Sequence, residues 1–146
     1  MNELRDLYQE TILDHYREPR NFGRMADANR KAEGYNPLCG DKVTLYLKVE
    51  DGVIRDAAFE GSGCAIATAS ASLLTESIKG MRENEALNLL ERIHGMVIGG
   101  SKNNDMGKLA VLAGVHEFPQ RVKCATLAWH TMKAAIENIG QPVTTE

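Results

Sequence analysis

Three cysteines, Cys39, Cys64 and Cys124, are the residues of this 146-residue chain best equipped for chemistry. They lie 25 and 60 residues apart, too far for a local CxxC clip, and an odd count excludes a closed disulfide framework. Asp41 stands two residues after Cys39, across Gly40. Residues two apart in an extended segment point to the same side, so an Asp41 oxygen can lie beside the Cys39 sulfur. Three sulfurs and one oxygen make a four-coordinate set suited to zinc or an iron centre. A carboxylate holds a soft metal less well than a thiolate does, so that corner is exchangeable. Lys42, Arg121 and Lys123 flank the set, and cations there lower thiol pKa values and offset four negative charges. The competing reading makes each cysteine a small buried hydrophobe and Asp41 a turn residue. Spacing and placement alone leave both readings open.

The elements around these residues must bring them together. Valines and leucines alternate with Thr44, Tyr46, Lys48 and Glu50 over Val43–Glu50, the period of a half-buried strand. Asp51-Gly52 is a hairpin turn signal, and Val53–Phe59 reads as the returning antiparallel strand. Cys39 precedes the first strand and Cys64 follows the second, so both belong at the same end of the hairpin. Gly61 and Gly63 read as the end of the sheet. A helix rich in small residues runs from Ala65 to Lys79-Gly80, with Cys64 at its start, where free N–H groups favour an anion. Pro119 suits the start of a last helix, which carries Cys124 in its first turns. All three sulfurs can therefore converge at one end of the sheet.

The rest of the chain is scaffold. Leu4, Leu7, Tyr8, Thr11, Ile12 and His15 form one stripe of a helix over about Asn2–Arg17, and Glu18-Pro19 stops it. Residues 21–38 give a weak signal, mostly loop with room for one short strand. Further helices are expected over Glu83–Ile98 and Lys108–Val115, separated by a polar loop, and Trp129 belongs to the core face of the last helix. The order predicts an α+β fold: a small antiparallel sheet with an N-terminal helix and a C-terminal run of helices packed on it. Residues 1–140 read as a single domain and 141–146 as a flexible tail.

Composition excludes several classes of function. Charged residues make up 25% and the net charge is −3, so there is no basic surplus for a nucleic-acid partner. No apolar run reaches the roughly 18 residues a membrane span needs. The charged start Met1-Asn2-Glu3-Leu4-Arg5-Asp6 is not a secretory signal, which implies a cytoplasmic chain with reduced thiols. A cysteine–histidine thiol enzyme finds no base: His15 reads as packed or surface, His130 faces away from Cys124, and His94 and His116 have no visible partner. Thr68, Ser70 and Ser72 read as packing residues. Glu3, Glu10 and Asp14, and the acids of 83–91, read as solvated.

Several separated motifs, in order, resemble the IscU/SufU/NifU N-terminal family of iron–sulfur cluster assembly proteins. They are Leu7-Tyr8, Ile12-Leu13-Asp14-His15-Tyr16 through Pro19-Arg20-Asn21, Asn36-Pro37-Leu38-Cys39-Gly40-Asp41, Phe59-Glu60-Gly61-Ser62-Gly63-Cys64-Ala65-Ile66-Ala67, and Arg121-Val122-Lys123-Cys124-Ala125. The resemblance covers nearly the whole chain. It implies that Cys39, Cys64 and Cys124 are the three essential cysteines and that Asp41 is the aspartate ligand that tunes cluster lability. The IscU branch has histidine where this chain has Lys123, and a Leu-Pro-Pro-Val-Lys chaperone segment where this chain has Phe118-Pro119-Gln120-Arg121-Val122-Lys123. Those departures, Arg121 and a longer stretch before Cys124 point to the SufU branch. That branch implies zinc on Cys39, Asp41, Cys64 and Cys124, and sulfur received from a SufS-type cysteine desulfurase, with Cys124 expected as the persulfide acceptor and Arg121 and Lys123 supporting its thiolate. It also implies a scaffold role, in which a [2Fe-2S] cluster on the same residues passes to apo iron–sulfur proteins or carriers. A small metal-free interaction module is the alternative of a different class.

Overall fold

The computed structural model describes residues 10–37, 40–99, 106–138 and 143–144. Cys39, the polar loop at 100–105 and the first nine residues lie outside this set. The expected α+β architecture is present. Helix α1 (Glu10–Arg17) leads into strands β1 (Arg30–Asn36), β2 (Asp41–Glu50) and β3 (Val53–Ser62). Helices α2 (Ala65–Ile78) and α3 (Glu83–Gly99), a 3-10 helix (Gly107–Glu117), α4 (Pro119–Ile136) and a short β4 (Val143–Thr144) follow. The sheet order is β3-β2-β1-β4, antiparallel except for the parallel β1–β4 pair. No described helix is long and apolar enough to cross a membrane.

The hairpin forms where its turn chemistry demands. Asp51 and Gly52 both take positive φ (54° and 75°), as a two-residue hairpin turn requires. The strand extends beyond the sequence expectation: Gly61 and Ser62 pair with Val43 and Lys42, so the sheet ends at Ser62. Gly61 sits at φ 146°, and a Cβ there would run into the Lys42 carbonyl, so glycine keeps the ladder closed at this end. A register shift between Lys48 and Val49 moves the inward side chains of β3 from Ile54 to Ala57 and Phe59.

β1 was only weakly legible because its sequence, RKAEGYN, carries little apolar alternation. Tertiary pairing creates it, with β2 on one side and Val143–Thr144 on the other. The segment after Gly140, read as a flexible tail, therefore contributes two residues to the sheet. Gly34 on β1 lies under α4, where a Cβ would collide with Thr131 Oγ1, so the helix and sheet approach closely at that point.

One face of the sheet, with Val43, Leu45, Leu47, Val49, Ile54, Ala57 and Phe59, packs beneath α2 and α4. α2 is buried on most sides, between α1, β3 and α4, which explains its small residues. The segment expected as Lys108–Val115 forms a 3-10 helix instead, burying Leu109, Leu112 and Val115 against α3 and α4. Trp129 is core, 1% exposed.

Candidate metal centre

Two hairpin strands and two helix starts meet at one end of the sheet. Asp41 is the first residue of β2 and is 1% exposed. Its partner strand ends at Ser62, and Gly63 carries the chain over the Asp41 carboxylate into Cys64. A Cβ on Gly63 would lie 2.8 Å from Asp41 Oδ1, so the glycine is what lets the backbone cross so near an acid. Cys64 caps α2: its backbone N–H donates to Asp41 Oδ1 at 3.0 Å, and its sulfur accepts the Ala67 N–H at 3.4 Å. Cys124 lies in the second turn of α4, fully buried, its sulfur 3.5 Å from the Gln120 carbonyl.

These elements bring one oxygen of Asp41 and the sulfurs of Cys64 and Cys124 within 4.8 Å of one another. Donor atoms about 2.0–2.3 Å from a shared tetrahedral ion stand roughly 3.3–3.8 Å apart. The observed set is a slightly open version of that arrangement. Two sulfurs and a carboxylate, clustered and largely withdrawn from water, suit a thiophilic cation. The residues fit zinc or an iron centre. Cys39, two residues before Asp41, lies outside the described residues.

The two described thiols are shifted in opposite directions. Cys64 is pushed down to about 6, first by the hydrogen bond from the Cys124 thiol and then by N–H groups at the start of α2, against burial and the Asp41 charge. Cys124 is pushed up by its bond to the Cys64 thiolate, by burial and by Asp41. The Gln120 carbonyl beside it also favours the protonated thiol. Of the two described thiols, Cys64 is thus the one whose surroundings favour the thiolate. The expectation put it on Cys124, supported by Arg121 and Lys123. Both cations are half-buried on the first turns of α4.

The other candidates fall into scaffold roles. His15 is buried, with Nδ1 2.7 Å from Ser72 Oγ. Ser72 also accepts the Arg20 backbone N–H at 2.8 Å. His94 and His130 meet edge to face with ring centroids 5.5 Å apart, and His116 is exposed beside Glu117. Thr68 is half-buried along α2, and Ser70 bridges α2 and α4. Asp14 pairs with Arg20 at 2.7 Å. Lys42 is exposed and lies over the Tyr35 ring, 5.7 Å from its centroid. Sequence reasoning missed Gly63 as a requirement of the site. The signal was its place between the hairpin end and Cys64.

Comparison with known proteins gives a consistent context. Residues 7–143 match the NifU-like N terminal domain family. The iron–sulfur cluster assembly scaffold protein IscU of Thermotoga maritima is 46% identical over 139 residues, covering 93% of this chain and 96% of that protein. The zinc-dependent sulfurtransferase SufU of Bacillus subtilis is 39% identical, covering 91% of each. A solved structure of a candidate iron–sulfur cluster assembly scaffold protein for the SUF system, from Fervidobacterium islandicum, superposes with a TM-score of 0.82. It is 35% identical, over 89% of this chain and 96% of that one.

Proposed function

The chain belongs to the NifU-like N-terminal domain family, and on that premise we propose that it is an iron–sulfur cluster biogenesis protein of the SUF type. Its first role in this reading is to accept sulfur from a SufS-type cysteine desulfurase. The observation that carries the reading is the meeting of Asp41, Cys64 and Cys124 within 4.8 Å at one end of the sheet. Cys39, Asp41, Cys64 and Cys124 would hold zinc, which when bound keeps the thiols deprotonated and ordered.

The chain's own residues supply the rest. A cysteine thiolate attacks the outer sulfur of the desulfurase persulfide. The new S–S bond forms on this chain, the old one breaks, and the desulfurase thiolate leaves. Of the two described sulfurs, Cys64 suits the attack better than Cys124. It is partly exposed, whereas Cys124 is fully buried. Asp41 accepts the Cys64 N–H and holds the capping residue in place. The carboxylate would also be the weakest ligand of the set, the corner a metal would hold least tightly.

A second reading has support of its own. The relative from Thermotoga maritima is called a scaffold, and an exchangeable carboxylate corner suits a cluster that must be released. In this reading iron and sulfide are cargo assembled on the same residues as a [2Fe-2S] cluster and passed to apo-proteins.

One set of measurements tests both. Zinc content near one per chain and faster desulfurase turnover in its presence are expected for the sulfur acceptor. Loss of that acceleration in Cys64→Ser follows from the assignment above, and acceleration that survives Cys64→Ser overturns it. A visible chromophore after anaerobic reconstitution, with activation of an apo-target, would place the scaffold role first.

A further inference from the structure

Ser70 joins the two helices that carry the described sulfurs. It lies on α2, six residues and about 9 Å along the axis from Cys64. It is fully buried, and its hydroxyl both donates and accepts. The proton goes to the backbone carbonyl of Ala125, at 2.6 Å, and a lone pair accepts the indole N–H of Trp129, at 3.0 Å. Ala125 is the residue after Cys124, and Trp129 lies one turn further along α4. The donor and acceptor roles are fixed by chemistry, because the carbonyl can only accept and the indole can only donate.

An alanine at 70 would fill nearly the same space between packed helices. A serine there has another consequence. Sliding α4 along α2 by one residue, or rotating it, would break both hydrogen bonds inside a dry interface, where unmade bonds are costly. The contact therefore sets the register of α4 on α2 and, with it, where Cys124 stands relative to Cys64.

We infer that Ser70, with Trp129 as its partner, is a positioning residue for the metal centre: it sets the Cys64–Cys124 geometry without touching the metal. The inference rests on the metal-binding reading of the site. Groups that orient ligands from behind typically change metal affinity by about 10–100-fold.

The test compares Ser70→Ala with Ile54→Val, a core trim at the turn end of the hairpin, remote from the site. Zinc affinity is read by competition with a chromophoric chelator. The geometry is read from the sulfur-to-cobalt charge-transfer and d–d bands of the cobalt-substituted chain. Ser70→Ala is expected to weaken zinc by about tenfold or more and to shift the cobalt bands. Ile54→Val should leave both near wild type even where its denaturation midpoint falls. Trp129→Phe keeps the Ser70–Ala125 bond and should give a smaller change in the same direction. It also serves as the test if Ser70→Ala does not fold. Wild-type affinity and cobalt bands in Ser70→Ala overturn the positioning role, as does an equal loss in Ile54→Val. If Ser70→Ala does not fold, unchanged affinity and bands in Trp129→Phe overturn it. A wild-type chain that binds neither zinc nor cobalt overturns the metal reading itself, a result distinct from a variant that binds as wild type does.

Discussion

The backbone N–H of Cys64 donates to Oδ1 of Asp41 at 3.0 Å, so the acid that begins β2 and the thiol that caps α2 form one hydrogen-bonded unit. The two residues are 23 positions apart. The closed end of the hairpin brings them together, and Gly63 leaves room for the contact. Asp41 thus has a structural task alongside its place in the donor set.

Those two tasks separate by mutation. Asp41→Ala removes the acceptor and leaves the Cys64 N–H unmatched, so the metal-free chain should lose about 1–3 kcal/mol. Asp41→Asn keeps an acceptor oxygen and should lose less, while both variants weaken zinc. Urea denaturation of the metal-free proteins and chelator competition check this. Equal destabilisation by the two variants would show that the charge, not the bond, supports the fold.

Thiol reactivity should distinguish the two described cysteines. With Cys64 down at about 6 and partly exposed, the metal-free chain should be alkylated at Cys64 before Cys124 at pH 7. The rate should fall as pH drops through about 6, because protonation removes the nucleophile. Cys124, buried with its thiol pushed up, should react only slowly. Peptide mapping after iodoacetamide pulses across pH 5–9 reads both rates. Faster labelling of Cys124 would reverse the assignment of the thiolate.

Acid should loosen the contact of α1 with α2. His15 is fully buried, and among the described residues its Nε2 has no hydrogen-bond partner. Burial first, then Arg20 and Lys108, push it below its ordinary value of 6.5, against Glu76 and Asp14. The folded chain thus keeps His15 neutral while the unfolded chain takes up a proton. Stability from this residue is full above about 6.5 and falls as pH drops below it, by at most about 1.4 kcal/mol per pH unit. Denaturation midpoints between pH 7.5 and 5.5 should fall more steeply for wild type than for His15→Asn. Parallel slopes would remove His15 as the cause.

The most local features were the most legible. Asp51-Gly52 and the alternation of Val43–Glu50 announce the hairpin, because turn chemistry and strand period are written over adjacent residues. Pro119 marks the start of α4 for the same kind of reason. β1 hid because a strand with so little apolar alternation owes its existence to its neighbours. The segment at 107–117 was legible as an apolar helix, but its 3-10 winding follows from packing against α3 and α4. At the site, the hairpin puts the Cys39–Asp41 segment and Cys64 at one end of the sheet from sequence alone. Gly63 was passed over as a strand end.

By itself, then, the sequence determined the donor types, their placement at element boundaries and the hairpin that joins two of those boundaries. Each is a matter of residues adjacent in the chain. Only the tertiary structure decided that Cys124, 60 residues beyond Cys64, stands within 4.8 Å of it and of Asp41. That approach depends on how α4 lies across the sheet and against α2, through Gly34, Ser70 and Trp129, and such packing is non-local. Only the structure, too, set the surroundings of the two described thiols apart. Both cysteines lie near helix starts, but Cys64 receives N–H groups there, while Cys124, one turn deeper, meets a carbonyl.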